Sequence, residues 1–133
     1  MTKQNRKKSA ANELRRAQQA MLEADALAKT GLYNGATSRA YYVAFHAACA
    51  LLARIDVHPR THRGVESLLE DHLVVTGRLA KEHLRRYSQL QERRNIADYG
   101  VEQDITAEQM TVILADARAF LDAALELSQS IED

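Results

Sequence analysis

The chain has 133 residues, of which 46% are hydrophobic and 27% charged, and its 18 basic residues balance 18 acidic ones. This length and composition suit one globular domain and exclude general disorder. A single cysteine excludes a disulfide framework and a multi-cysteine metal site. No apolar run approaches the roughly 20 residues that span a bilayer, and the basic N-terminus lacks the apolar stretch of a secretory signal, so we expect a cytoplasmic protein without membrane contact.

The two parts of the chain differ in charge. Residues 1–94 contain 17 Lys and Arg against 9 Asp and Glu, whereas residues 95–133 contain one Arg against 9 acids. Such a chain either offers a basic surface to an anion or neutralises its own halves in the fold or across a dimer. We expect residues 1–8 to form a flexible basic tail and residues 9–133 to form a single helical domain.

Apolar residues recur at spacings of three and four, and no segment shows the period of two that marks a strand. The second segment is apolar over most of its circumference, which is typical of a central helix. We therefore predict an all-α, up-and-down bundle of four long helices plus a shorter one. The predicted helices cover residues 9–30, 35–55, 61–76, 79–98 and 106–130.

Capping residues and glycines set these predicted ends. Polar residues that can cap a helix start precede the first, second, third and fifth segments, and glycines follow the first, third and fourth. Thr106 and Gln109 have the spacing of a capping box. The predicted caps are Ser9, Asn34, Thr61 and Thr106, and the predicted stops are Gly31, Gly77 and Gly100. On the third helix we expect His72 to face inward with its leucine neighbours.

Several kinds of site are poorly supported. The sequence has no glycine-rich phosphate loop and no nucleophile elbow. His58 and His62 flank Pro59 and so do not share a regular helical face, while His46 and Cys49 share a face without a nearby carboxylate. We therefore expect no metal site and no cofactor, and Cys49 is interpreted as a small buried residue.

Polar side chains interrupt the most apolar helix. Arg39, Tyr42 and His46 follow one another at spacings of three and four, so they lie on one face. Buried polar groups need partners, because an unpaired one costs roughly 1–3 kcal/mol. One interpretation is an internal network in which Tyr42 and His46 bond to neighbouring helices and Arg39 pairs with an acid. The other places these three residues beside a nucleotide-binding cleft.

The end of the fourth predicted helix is rich in groups that bind phosphate. It reads Glu92-Arg93-Arg94-Asn95-Ile96-Ala97-Asp98-Tyr99-Gly100. The fork of an Arg guanidinium matches phosphate geometry, and Asn95 adds a neutral donor. Arg94 and Asp98, four residues apart, also fit an ordinary surface pair. The tip of this basic helix could simply pair with the acidic fifth helix.

Three stretches of the chain form a series with a characteristic order and spacing: Ser38-Arg39-Ala40-Tyr41-Tyr42 with Phe45-His46 and Leu51-Leu52, then Thr61-His62-x-Gly64-Val65, then Arg94-x-x-Ala97-Asp98-Tyr99-Gly100. Together they resemble the HEPN domain family, and in particular the small stand-alone prokaryotic HEPN proteins found beside minimal nucleotidyltransferases. The resemblance covers about residues 10–130. It implies an all-α bundle that dimerises and, in active members, a metal-independent ribonuclease site across the dimer cleft.

The family site is an Arg, often followed by a polar residue, with a His four to six residues further on. Arg94 and Asn95 match the first two positions, but Tyr99 stands where the His is expected. An unperturbed tyrosine is a poor base at neutral pH, since its pKa is near 10. The resemblance also implies a toxin that a nucleotidyltransferase silences, in some systems by adding AMP to a tyrosine near the motif.

We therefore expect a homodimeric, RNA-directed protein of a toxin–antitoxin or defence pair with a minimal nucleotidyltransferase. If it is an enzyme, it is a metal-independent endoribonuclease in which Arg94 holds the phosphate, Asn95 orients it and Tyr99 donates a hydrogen bond or proton. Asp98 and His46 are candidate bases. The alternatives are a noncatalytic helical adaptor of the nucleotidyltransferase and a dimeric nucleotide-binding module. The remaining candidates for nucleotide or RNA binding are Arg39, Tyr42, His46 and Arg93.

Overall fold

The computed structural model describes residues 2–99 and 104–131, except for the side chain of Tyr99. Within these ranges the chain is a bundle of five helices without a strand, as predicted. The helices are α1 Lys3–Lys29, α2 Tyr33–Arg54, α3 Gly64–Leu69, α4 Lys81–Tyr99 and α5 Ala107–Ser130. A π-helical turn, Glu70–Val74, continues α3.

The second helix is the centre of the bundle, and it contacts α1, α3, α4 and α5. Its buried surface is mostly alanine, which allows the backbone of α1 to approach closely through alanines of its own. Larger side chains from α4 and α5 close the remaining core, and burying each contributes roughly 1.5–3 kcal/mol. The fully or almost fully buried residues include Ala17, Ala24, Ala40, Ala44, Ala47, Leu51, Leu52, Tyr87, Leu90 and Phe120.

Three of the predicted helix ends are confirmed by hydrogen bonds. Gly31 has a φ of 77°, and the amides of Gly31 and Leu32 donate to the carbonyls of Ala28 and Leu27, which is the Schellman arrangement. Gly77, with a φ of 79°, ends the α3 segment in the same way. Both bonds of the capping box at Thr106 are present, at 3.1 and 2.9 Å. The predicted stop at Gly100 lies outside the described residues.

The predicted starts of the first two helices are wrong. The first helix begins at Lys3 rather than near Ser9, because the Thr2 hydroxyl caps it by accepting from the amide of Asn5. The stretch expected to be a flexible tail is thus helical from its third residue. Asn34 lies inside α2, which begins at Tyr33 without a side-chain cap.

The third helix is shorter than predicted, because its α-helical part begins at Gly64. Thr61 still contributes, since its hydroxyl accepts from the Gly64 amide at 3.1 Å. His72 is exposed and does not face the core, because the π-helical turn rotates the residues after Leu69 relative to the α-helical pattern.

None of the helices in the described parts of the chain carries an apolar stretch that would cross a membrane.

Candidate functional site

Arg94 lies on the side of α4 that faces α2, against two tyrosines. Its Nη2 donates to the Tyr42 hydroxyl at 3.3 Å, and its Cζ lies 5.3 Å from the Tyr41 ring centroid and 5.7 Å from that of Tyr42. Its Nε lies 2.9 Å from Asp98 Oδ2, and 21% of the side chain is exposed. The guanidinium is therefore held in place by aromatic faces, a hydroxyl and one carboxylate while part of it still reaches solvent.

The polar residues of α2 form the network that the sequence suggested. Arg39 Nη1 lies 3.2 Å from Glu23 Oε1, and its Cζ lies 4.7 Å from the Tyr42 ring centroid. His46 Nδ1 lies 2.8 Å from Glu13 Oε2. Both acids belong to α1, so this face of α2 bonds to α1 on one side and to Arg94 on the other. Tyr42 thereby contacts two guanidinium groups, those of Arg39 and Arg94.

The pair between His46 and Glu13 is partly buried, with 21% and 20% of the side chains exposed. The hydrogen bond from His46 lowers the pKa of Glu13, and the positive charges of His46 and Arg16 act in the same direction against the opposing effect of burial. Glu13 therefore stays ionised over a wider pH range than an isolated glutamate, and His46 is already engaged by a carboxylate.

A second histidine, which the sequence did not place here, completes the aromatic cluster. His62 stacks on Phe45, with ring centroids 4.0 Å apart and planes within 2° of parallel. Its Nδ1 lies 3.4 Å from the Tyr41 hydroxyl, and its ring meets that of Tyr42 edge to face at 6.1 Å. His62 thus contacts the same two tyrosines that hold Arg94, from the loop that precedes α3.

Electrostatics sets the charge state of this cluster. The pKa of His62 is lowered from 6.5, first by desolvation and then by the positive charges of Arg94 and His46. Burial raises the pKa of Tyr41, although a hydrogen bond with Tyr87 and the charge of Arg94 oppose the effect. At neutral pH the cluster therefore combines a permanent cation with a neutral imidazole and a protonated phenol.

The other residues of the predicted motif point in different directions. Arg93 is exposed and lines a groove of about 370 Å³ between α4 and α5 with Ile96 and Asp116, whereas its neighbour Arg94 faces α2. Asn95 is exposed, and Asp98 forms the predicted pair with Arg94. The side chain of Tyr99 lies outside the described residues. Arg93 is thus separated from the cluster by the turn of the helix, as consecutive helical residues are.

An ion pair between α4 and α5 lies near the start of α4, away from the tip at which pairing was predicted. Arg86 Nε lies 3.6 Å from Asp116 Oδ1. Burial raises the pKa of Asp116, and the charge and hydrogen bond of Arg86 oppose this effect. The acidic fifth helix therefore neutralises part of the basic fourth helix at Arg86, while Arg94 pairs with an acid of its own helix.

The remaining candidate ligands are dispersed. His58 Nε2 bonds to Asp56 at 2.8 Å, and the Cys49 thiol is partly buried, with its pKa raised to about 12 by desolvation and the charge of Glu13. Within residues 2–99 and 104–131, no three His, Cys, Asp or Glu side chains come together as a metal site would require.

The comparisons with known proteins agree with this architecture. The family model described as the HEPN domain matches residues 11–127. A UPF0332 protein of Gloeobacter violaceus is 32% identical over 112 residues, which cover 84% of this chain and 89% of that protein. A UPF0332 protein of Thermotoga maritima is 30% identical over 118 residues, 89% of either chain.

A third relative, from Methanocaldococcus jannaschii, has the name "Putative toxin". It is 31% identical over 106 residues, which cover 80% of this chain and 78% of that protein. The family match extends over all five helices and includes the α2 and α4 segments that form the cluster around Arg94. The chain belongs to the HEPN domain family.

Proposed function

We propose that this chain is the RNA-directed member of a toxin–antitoxin or defence pair and that it is a metal-independent endoribonuclease. The observation that carries the proposal is the position of Arg94, a partly exposed guanidinium held against Tyr41 and Tyr42. A relative with the name "Putative toxin" supports the assignment to a toxin pair, and a toxin implies a cognate antitoxin.

The cluster has the chemistry that single-stranded RNA requires. A guanidinium can pair with two phosphate oxygens at once, and it gains additional attraction from aromatic faces. Tyr42 and Phe45 are partly exposed aromatic rings on the same surface, and nucleic-acid bases stack on such rings. RNA binding here would combine one phosphate contact with base stacking.

The proposed reaction is attack of a ribose 2′-oxygen on the adjacent phosphorus. The new bond gives a 2′,3′-cyclic phosphate, and the bond to the 5′-oxygen breaks to release a 5′-hydroxyl end. Arg94 would stabilise the charge that develops on the phosphate oxygens, and such stabilisation is commonly the largest contribution to catalysis. Asn95 would orient the phosphate and Tyr99 would donate a hydrogen bond or proton to the leaving oxygen.

The candidate bases of the motif are already engaged. Asp98 lies 2.9 Å from Arg94, and His46 lies 2.8 Å from Glu13. In the proposed mechanism Asp98 therefore positions the Arg94 guanidinium. His46 and Arg39 support the site through their contacts with the acids of α1. A homodimer would bring two copies of Arg94 into one cleft, and the silencing partner would be a minimal nucleotidyltransferase.

A noncatalytic adaptor is the second candidate function, because Tyr99 occupies the position at which the family motif has its histidine. As an adaptor, or as a dimeric nucleotide-binding module, the chain would bind the nucleotidyltransferase or a nucleotide without cleaving RNA. Mass spectrometry after coexpression with that partner tests the contact, since we expect the peptide that contains Tyr99 to gain the mass of AMP.

The deciding experiment incubates the purified protein with single-stranded RNA of mixed sequence and excess chelator. We expect 2′,3′-cyclic phosphate ends that disappear in Arg94→Ala. The matched control is Arg85→Ala, since Arg85 is an exposed arginine of the same helix on its opposite side. Cleavage that survives in Arg94→Ala, or a folded protein that cleaves no RNA at any concentration, would favour the adaptor.

A further inference from the structure

The proposed ribonuclease lacks a base within its motif, because Tyr99 replaces the expected histidine and the two other candidates are engaged by partners. His62 lies outside the motif by more than 30 residues, yet it belongs to the same cluster. Its ring stacks on the Phe45 ring, with centroids 4.0 Å apart, and its Nδ1 lies 3.4 Å from the Tyr41 hydroxyl. The imidazole is therefore oriented by two contacts even though the residue as a whole is exposed.

Arg94 and His62 meet at the same pair of tyrosines. Arg94 contacts the Tyr41 ring and bonds to the Tyr42 hydroxyl, while His62 bonds to the Tyr41 hydroxyl and meets the edge of the Tyr42 ring. A phosphate bound by Arg94 would thus lie beside an imidazole. Cleavage of RNA by its own 2′-hydroxyl is favoured by such a pair, with a cation on the phosphate and a base beside the ribose.

On the basis of the function proposed above, we propose that His62 is the proton acceptor of this ribonuclease. It takes the proton from the attacking 2′-hydroxyl. The role requires the His62 tautomer in which Nδ1–H donates to the Tyr41 hydroxyl oxygen and the Nε2 lone pair receives the proton. As Nε2 gains the proton, the 2′-oxygen bonds to phosphorus and the bond from phosphorus to the 5′-oxygen breaks. The 5′-oxygen takes a proton from water while Tyr99 supplies the hydrogen bond proposed above, and His62 later returns its proton to solvent.

The surroundings of His62 favour this role. The groups that face it are Tyr41, Tyr42 and Phe45 of α2, with the charges of Arg94 from α4 and His46 from α2 nearby. Both charges and partial burial lower the pKa of His62 from 6.5, so the imidazole is neutral and able to accept a proton at pH 7. We expect the rate of cleavage to rise with pH through a midpoint below 6.5.

The experiment measures cleavage and RNA affinity for His62→Gln across this pH range. A general base contributes about 10²- to 10⁴-fold, so we expect at least a 100-fold loss of cleavage rate with RNA affinity changed less than about threefold. The rising limb of the pH profile should disappear. His62→Ala should recover part of its rate when imidazole is added, which a merely structural role would not allow.

His58→Gln is the matched control, because His58 is an exposed histidine that lies four residues before His62 in the same loop and pairs with Asp56. Circular dichroism confirms that each variant is folded. If the wild type cleaves RNA and His62→Gln retains its rate and pH profile, the role of His62 is refuted while the proposed function stands. If the wild type cleaves no RNA, both the function and the role of His62 are refuted.

Discussion

Tyr42 connects Arg94 of α4 to Arg39 of α2, so it offers a graded test of how the site holds its cation. Tyr42→Phe removes the hydroxyl that accepts from Arg94 at 3.3 Å. A hydrogen bond to a charged group contributes about 1.5–3 kcal/mol, and this long one is expected to contribute about 1 kcal/mol. If Arg94 binds phosphate, losing that support weakens RNA binding about fivefold.

Tyr42→Leu removes the ring as well. The ring faces two guanidinium groups, with Cζ distances of 4.7 Å for Arg39 and 5.7 Å for Arg94. A cation–π contact at a partly exposed site contributes about 0.5–1 kcal/mol. Together with the lost hydroxyl, the loss of binding free energy is about 2 kcal/mol, so the RNA dissociation constant should be about 30-fold larger.

Fluorescence anisotropy with a labelled single-stranded RNA in excess chelator measures these changes. Tyr33→Phe is the control, because Tyr33 also lies on α2 and packs against the core at its N-terminal end. The expected order of affinity is wild type, then Tyr42→Phe, then Tyr42→Leu. Wild-type affinity in Tyr42→Leu, alongside lost binding in Arg94→Ala, would refute the argument that Tyr42 positions the guanidinium.

Two stability predictions concern other parts of the fold. Glu13→Gln should lower the free energy of unfolding by about 1 kcal/mol near pH 6. The folded pKa of Glu13 is lowered from 4.5, so the stabilisation is present above about pH 4.5 and is lost as the pH falls through the folded pKa. Urea unfolding of wild type and Glu13→Gln, near pH 6 and again below the folded pKa of Glu13, tests this. An equal difference in unfolding free energy at the two pH values would contradict it. Gly77→Ala should destabilise by about 1 kcal/mol, since its φ is 79° and a Cβ there would meet no atom within 4 Å that could compensate. Gly35 lies inside α2, where an added Cβ would meet only the Leu27 side chain, at 3.5 Å. Gly35→Ala should therefore be neutral or stabilise the fold by up to about 1 kcal/mol. Thermal unfolding in which Gly77→Ala is more stable than Gly35→Ala would contradict the backbone argument.

The helices could be predicted because their determinants are local. Apolar spacing identified α2 as central, and the positive φ of Gly31 and the capping box at Thr106 follow from residue type alone. The wrong predictions arose where a competing local bond or an irregular turn decides the outcome. Thr2 caps α1 before Ser9 can, and the π-helical turn removes His72 from the inward face.

The site was predictable only along single helices. The common face of Arg39, Tyr42 and His46 follows from helical spacing, but their acidic partners on α1 depend on how the helices pack. His62 was missed because its partner Phe45 lies 17 residues earlier and across a turn. Its presence in the Thr61-His62-x-Gly64-Val65 stretch was the available signal. His62 lies in the loop between Pro59 and α3, where no helical period relates one residue to the next, so spacing alone could not place its side chain.

The central claim is that the Arg94 guanidinium binds an RNA phosphate beside Tyr41 and Tyr42. NMR of the Nε–H groups of arginine, during titration with a 2′-O-methyl RNA that binds without being cleaved, observes this contact directly. The account predicts a saturable shift of the Arg94 resonance, with Arg85 unaffected and the shift reduced in Tyr42→Leu. An Arg94 resonance that stays unchanged while RNA binds elsewhere on the protein would contradict it.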